Sequence, residues 1–196
     1  MGKYRTRKKS TKSSSTSGNQ TLLYILIAAV VIGIAGLGYL LYLSLRPEPE
    51  IAGIIQYERL SRGHEQNLEI PFGELPPAGG AHDPTWQNCG IYDEPLNTAH
   101  VIHSMEHGAA WITYQPNLAP DQIEAIQDKF RGQTYIVVSP YPGQSSPIVM
   151  TAWGVQLEVD DLNDRRVNEF IERYRLGPTT PERGAACTNG IGEPIG

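Results

Sequence analysis

Cysteine is nearly absent from this chain. Of 196 residues only Cys89 and Cys187 carry a thiol, and they form no Cys-x-x-Cys pair, which excludes a dithiol redox motif. Acidic residues are missing from the first 47 positions, and before Arg46 the only charges are Lys3, Arg5, Arg7, Lys8, Lys9 and Lys12. From Arg46 onward the balance is the reverse, with 10 basic against 21 acidic residues, a net of −11. An acidic body of that kind lacks the clustered Lys and Arg that phosphate contacts need, so no nucleic-acid partner is expected. Internal repeats are absent too. Gly (20) and Pro (15) are abundant enough to exclude a fibrous or wholly helical chain.

Charge is also missing from Leu22 to Leu45, a run of 24 residues. At about 1.5 Å per residue, roughly 20 apolar residues cross the hydrocarbon core. Basic residues lie before the run, and Arg46-Pro47-Glu48-Pro49-Glu50 follows it. The positive-inside rule then predicts residues 1–21 in the cytoplasm and residues from 46 onward outside, a single-pass protein of the cell membrane. Tyr24, Tyr39 and Tyr42 fall near the ends, where amphipathic rings favour the interface. A cleaved signal peptide is the competing reading, but the run exceeds an ordinary h-region and no small-x-small cleavage site follows. The Ser/Thr-rich stretch Ser10–Thr21 reads as a disordered basic tail facing anionic lipid.

On that topology both cysteines lie in an oxidising compartment, and an even count there predicts one disulfide. It would close a loop of nearly a hundred residues, for which chain entropy gives an upper value of about 4.7 kcal/mol. A thiolate metal ligand or a catalytic thiol is the alternative.

Residues 46–80 read as an extended linker with one short strand at Ile51–Tyr57, and residues 81–196 as the outer domain. Ala109–Tyr114 is rich in aromatic and β-branched residues and predicts a strand. Pro120 suits the first position of a helix that carries Ile123, Ile126 and Phe130 on one face and stops at Gly132. Thr134–Ser139, Ile148–Trp153 and Val155–Val159 read as strands, the last two separated by a bulge or tight bend at Gly154. A second amphipathic helix spans Asp161–Arg175, with Leu162, Val167, Phe170, Ile171 and Tyr174 as its apolar face. The order predicts an α+β domain, two helices packed on a largely antiparallel sheet, preceded by the single transmembrane helix. A thioredoxin-like fold can be assembled from the same pieces.

All five histidines lie between positions 64 and 107: His64, His82, His100, His103 and His107. Three fall within eight residues, next to Met105 and Glu106. That is the composition of a transition-metal site. If the segment is a helix, His103 and His107 share a face one turn apart, and Gly108 keeps the helix short. If it is a strand, His103, Met105 and His107 share a face, a set suited to copper. The string His103-Ser-Met-Glu106-His107 also matches the inverted zinc-protease pattern H-x-x-E-H, a short motif with a high chance rate. Beside these stands a metal-free account, in which His103, Glu106 and His107 form a buried hydrogen-bonded network under the following strand.

Several motifs agree in order with one family. They are Pro76-Pro-Ala-Gly-Gly-Ala-His-Asp-Pro-Thr-Trp-Gln-Asn-Cys-Gly-Ile-Tyr92, His103-Ser-Met-Glu-His-Gly108, Ala110-Trp-Ile-Thr-Tyr114, Ser139-Pro-Tyr-Pro142 and Thr151-Ala-Trp-Gly154. Together they resemble the uncharacterised bacterial domain-of-unknown-function family 3105, from about residue 50 to Cys187. The resemblance implies an anchored or exported protein and brings no activity. It implies that His64, His82, His103, His107, Glu106, Cys89 and Cys187 are the positions to watch, with His100 outside the pattern and Met105 where the family has leucine. An all-imidazole site with Glu106 as ligand or outer acceptor follows, in preference to the methionine-containing set. Trp86, Trp111 and Trp153 are expected in the core, Pro140–Gly143 as a rigid loop, and Asp83, Asn88 and Asp93 as turn formers.

Three functions are thus open. The first is a non-enzymatic outer module holding zinc or copper through His64, His82, His103, His107 and Glu106, for metal handling or support of a membrane complex. The second is a metal-free scaffold or accessory subunit that contacts another membrane protein. The third is a zinc hydrolase using His103, His107 and Glu106. Apart from the lipid bilayer, no partner is specified.

Overall fold

A computed structural model describes residues 16–46 and 49–195. The chain divides into two compact units, residues 1–49 and 50–196. The basic leader, residues 1–15, lies outside the described residues. The first unit contains α1 (Thr16–Leu45), which takes in residues 16–21 of the tail expected to be disordered. Its segment Asn19–Leu45, 27 residues, is long and apolar enough to cross a membrane, and its side chains are exposed.

The second unit is an α+β domain around a six-stranded mixed sheet. In chain order it comprises β1 (Ile55–Gln56), β2 (Gly90–Ile91), α2 (Thr98–His107), β3 (Ala110–Tyr114), α3 (Pro120–Phe130), β4 (Ile136–Pro140), β5 (Ile148–Ala152), β6 (Val155–Val159) and α4 (Arg165–Tyr174). The strands lie in the order β1-β6-β5-β3-β4-β2. Three of the ladders are antiparallel and two, β3–β4 and β2–β4, are parallel. The parallel part arises because α3 carries the chain back across the sheet, whereas β5 and β6 meet through the two-residue turn Trp153-Gly154. Gly154 supplies the required left-handed backbone, φ +74°.

Period-two alternation divides the side chains between the two faces. Ala110, Ile112, Tyr114, Ile136, Val138, Ile148, Met150 and Leu157 pack with Ile126 and Phe130 of α3 and with Val167, Phe170, Ile171 and Tyr174 of α4. Trp111 and Val137 point the other way and pack with Val101, Ile102 and Met105 of α2 and with Tyr141 and Trp153. This second face is partly polar and satisfies itself internally: Trp111 Nε1 donates to Ser139 Oγ at 2.9 Å, and Gln156 Nε2 to Thr151 Oγ1 at 3.0 Å. Trp111 and Trp153 are therefore core residues. α2 thus covers one face of the sheet and α3 and α4 the other.

Element boundaries moved for identifiable reasons. Residues 50–80 are not a linker but part of the compact unit. Ile51 is buried in the core, while Gly53 (φ +82°) turns the chain, so only Ile55 and Gln56 pair with β6. The strand expected at Thr134 starts two residues later, because Tyr135 is left-handed at φ 53°. The helix expected from Asp161 begins at Arg165. Asp161 caps a turn by accepting from the Asn163 N–H at 2.8 Å, and Asp164 is the true N-cap. Pro120 opens α3 as expected, and Gln122 accepts from the Ala119 N–H at 3.1 Å.

The histidine segment is helical. Asn97 caps α2 by accepting from the Ala99 N–H at 3.0 Å, and Gly108 ends it in the left-handed region at φ 115°. A Cβ at Gly108 would lie 2.6 Å from Leu176 Cδ2. Gly108→Ala should therefore destabilise the domain by about 1–2 kcal/mol or more from the backbone alone, read as a lower urea midpoint. An unchanged midpoint would contradict the close approach.

Candidate metal centre

Helical periodicity sorts α2 into two faces. Val101, Ile102 and Met105 enter the sheet, which leaves His103, Glu106 and His107 together on the opposite side. Two irregular segments cross that side. Residues 63–65 and 82 are locked by an isolated parallel bridge between His64 and His82, with Glu65 N–H donating to the His82 carbonyl at 2.8 Å and His82 N–H to the Gly63 carbonyl at 3.0 Å. The tail is held by Glu182 N–H to the Glu106 carbonyl at 2.9 Å and Gly184 N–H to the His107 carbonyl at 3.0 Å. Gly79, at φ +135°, lets the chain pass the Trp153 ring, and Gly80, at φ +122°, continues the turn.

The ligand atoms of His64, His82, His103 and Glu106 all lie within 4.8 Å of one another. His107 sits beside them, its ring centroid 4.5 Å from that of His103, but outside this four-residue set. His100 is directed elsewhere, with Nδ1 2.7 Å from the Thr85 carbonyl. The thioether reading loses its geometry, because Met105 is buried in the core on the other face of the helix.

The imidazoles are oriented by backbone carbonyls. Nδ1 of His82 donates to the Gly80 carbonyl at 2.7 Å, Nδ1 of His103 to the Asp83 carbonyl at 2.7 Å, and Nδ1 of His107 to the Ala186 carbonyl at 2.5 Å. A carbonyl only accepts, so each Nδ1 carries its proton, and in the neutral ring each Nε2 is a lone pair. This is the arrangement that fixes histidine ligands in metal sites. Asp83 itself is a turn former, as expected: its carboxylate accepts from the Asn67 and Thr85 N–H groups at 2.7 and 2.8 Å. Asn88 instead holds the tail, accepting from Gly190 N–H at 2.8 Å and donating to the Gly192 carbonyl at 2.7 Å.

Glu106 is the charge at the centre. Its side chain is 1% exposed, with Oε1 2.7 Å from Arg62 Nε and Oε2 3.0 Å from His82 Nε2 and 3.6 Å from His64 Nε2. Since His82 Nδ1 already donates, the approach of its Nε2 to a carboxylate oxygen demands something positive between them. A second proton on His82 or a metal ion meets that demand. Burial pushes the Glu106 carboxyl up, but the Arg62 hydrogen bond and the charges of His82 and Arg62 outweigh it and hold the group below its ordinary 4.5. Burial pushes His103 below its ordinary 6.5; the Asp83 carbonyl opposes this, and the neighbouring histidines add to it. His64, with 41% of its side chain exposed, forms the open side.

The predicted disulfide is present. Cys89 and Cys187 are bonded across a separation of 98 residues, with Cα atoms 5.3 Å apart. It joins the segment carrying Asp83 to the tail carrying Ala186, the sources of two orienting carbonyls. Arg62 and Glu182 were not singled out from the sequence, and no spacing signal marks them. Trp86, expected in the core, is half-buried and lies 5.8 and 5.2 Å from the rings of His103 and His107.

Fold and site together define an α+β domain in which the buried carboxylate of Glu106 is surrounded by imidazoles. The chain belongs to the family described as protein of unknown function (DUF3105), whose model matches residues 64–189, a narrower span than the motifs suggested. No curated protein and no solved structure matches the chain.

The two pKa directions carry the same sign. For each group the folded value is depressed, so its stabilising contribution is complete above the unfolded value and is lost as pH falls to and through the folded one. For His103 the loss begins below 6.5 and for Glu106 below 4.5. Metal-free protein should hold its stability from about pH 8 to about 6.5, lose it as pH falls further, and lose more below about 4.5, measured as the urea midpoint. A midpoint that rises on acidification would contradict burial of a neutral His103.

Proposed function

We propose that this protein is a single-pass membrane protein whose outer domain binds one transition-metal ion, zinc or copper, through His64, His82, His103 and Glu106. The observation that carries the reading is the convergence of three imidazoles and one carboxylate, with the Nδ1 atoms of His82 and His103 held by carbonyls. Three nitrogens and one oxygen suit either metal. His64, as the exposed member, closes the coordination sphere on the solvent side. The work of such a module is metal handling or support of a membrane complex rather than catalysis. Glu106 is engaged by Arg62 and His82, which argues against its service as the water-activating base of a hydrolase.

The topology is part of the proposal. The basic leader, the apolar helix α1 and the disulfide each favour an anchored domain outside the cytoplasm. In vesicles of known sidedness, protease on the extracytoplasmic face should digest the domain. Digestion only from the cytoplasmic face would overturn the placement.

A metal-free scaffold is the second reading, favoured by the chain of contacts Arg62–Glu106–His82, which protons alone can satisfy. Calorimetric titration of the full chain in detergent separates the two. One equivalent of zinc or copper is expected, with affinity falling as pH drops through about 6.5. His82→Ala or His103→Ala should weaken binding by more than about 100-fold, beyond the effect of losing an outer partner. No more than trace metal after reconstitution would reject the metal reading and leave the scaffold.

A further inference from the structure

Resting on that reading, we propose that His107 and Glu182 form an outer two-ligand landing point through which a zinc-class divalent ion enters and leaves the inner set. His107 lies next to the four converging residues but outside their set. Its Nδ1 is committed to the Ala186 carbonyl, which leaves Nε2 as the lone pair. That atom faces Glu182 Oε2 at 3.9 Å, too far for a hydrogen bond. Two ligands on a tetrahedral zinc ion lie roughly 3.4 Å apart. The Glu182 side chain is 45% exposed, so its Oε2 can close that small difference while Oε1 rests on Arg62.

Position makes this pair a threshold rather than a second store. The His103 and His107 rings are 4.5 Å apart, so an ion bound at His107 is one imidazole away from the inner ligands. Trp86 stands against both rings and shields them on one side. Arg62 links the two carboxylates, with Nε 2.7 Å from Glu106 Oε1 and Nη2 3.1 Å from Glu182 Oε1. A cation reaching Glu182 competes with this guanidinium and loosens its hold on Glu106 as the ion moves inward. Two protein ligands, with water completing the sphere, hold an ion weakly, as transfer requires.

A landing point accelerates entry and exit equally, because it lowers the barrier and leaves the end states alone. The test is stopped-flow zinc uptake, and release into excess chelator, by the full-length protein in detergent, compared with Glu182→Gln. His107→Gln serves as a second variant. Uptake and release should both slow about ten-fold, with the zinc dissociation constant unchanged. Unchanged rates in both variants would overturn the proposal. A weaker dissociation constant with unchanged uptake would also overturn it, by placing Glu182 in the binding set. Failure of the wild-type protein to bind zinc or copper removes the metal reading and this inference together, whereas wild-type binding with unaltered variant rates removes this inference alone.

Discussion

A carboxylate withdrawn almost completely from water must be matched by positive charge, and in this domain that condition organises the site. Glu106 is matched by Arg62 from one irregular segment and by His82 from another. Each partner brings its neighbours. Arg62 fixes the segment that carries His64, and His82 fixes the glycine turn before it and Asp83 after it. Removing the carboxylate would leave a guanidinium and several imidazoles crowded without compensation, so the arrangement is coupled rather than additive.

The sheet prepares the ground for this. One face is uniformly apolar and takes α3 and α4, which gives the domain most of its hydrophobic stabilisation. The other face mixes aromatic, hydroxyl and amide side chains and takes the single short helix α2. A helix of 10 residues cannot cover that face alone, so irregular chain from both ends of the sequence completes the layer. Irregular segments expose carbonyls that helices and strands would consume. Those of Gly80, Asp83 and Ala186 are the ones that orient the imidazoles.

The sheet and two of its helices were legible in the sequence because their signals are local. Aromatic and β-branched residues marked β3, the break at Gly154 separated β5 from β6, and Pro120 with the Ile123, Ile126, Phe130 spacing marked α3. α2 was ambiguous: ten residues rich in histidine satisfy helical and extended patterns alike, and only Asn97 and Gly108 as caps decide between them. His64, His82, His103 and Glu106 were marked by composition and by the family motifs. What brings them together was not legible. The bridge from His64 to His82, the ion pair of Arg62 and the return of the tail to Ala186 all join residues distant in sequence through backbone atoms or long side chains, which leave no periodic trace. The segment 50–80 misled for the same reason, since Pro and Gly mark irregular chain but do not say whether it is packed.

The covalent link between Cys89 and Cys187 spans 98 positions, and its two ends neighbour the carbonyls that steer His103 and His107. A nascent chain whose sulfurs are still reduced has the imidazoles but lacks the brace that aims them. On the proposed topology, oxidation follows export, so the brace that joins the Asp83 segment to the tail closes only after translocation.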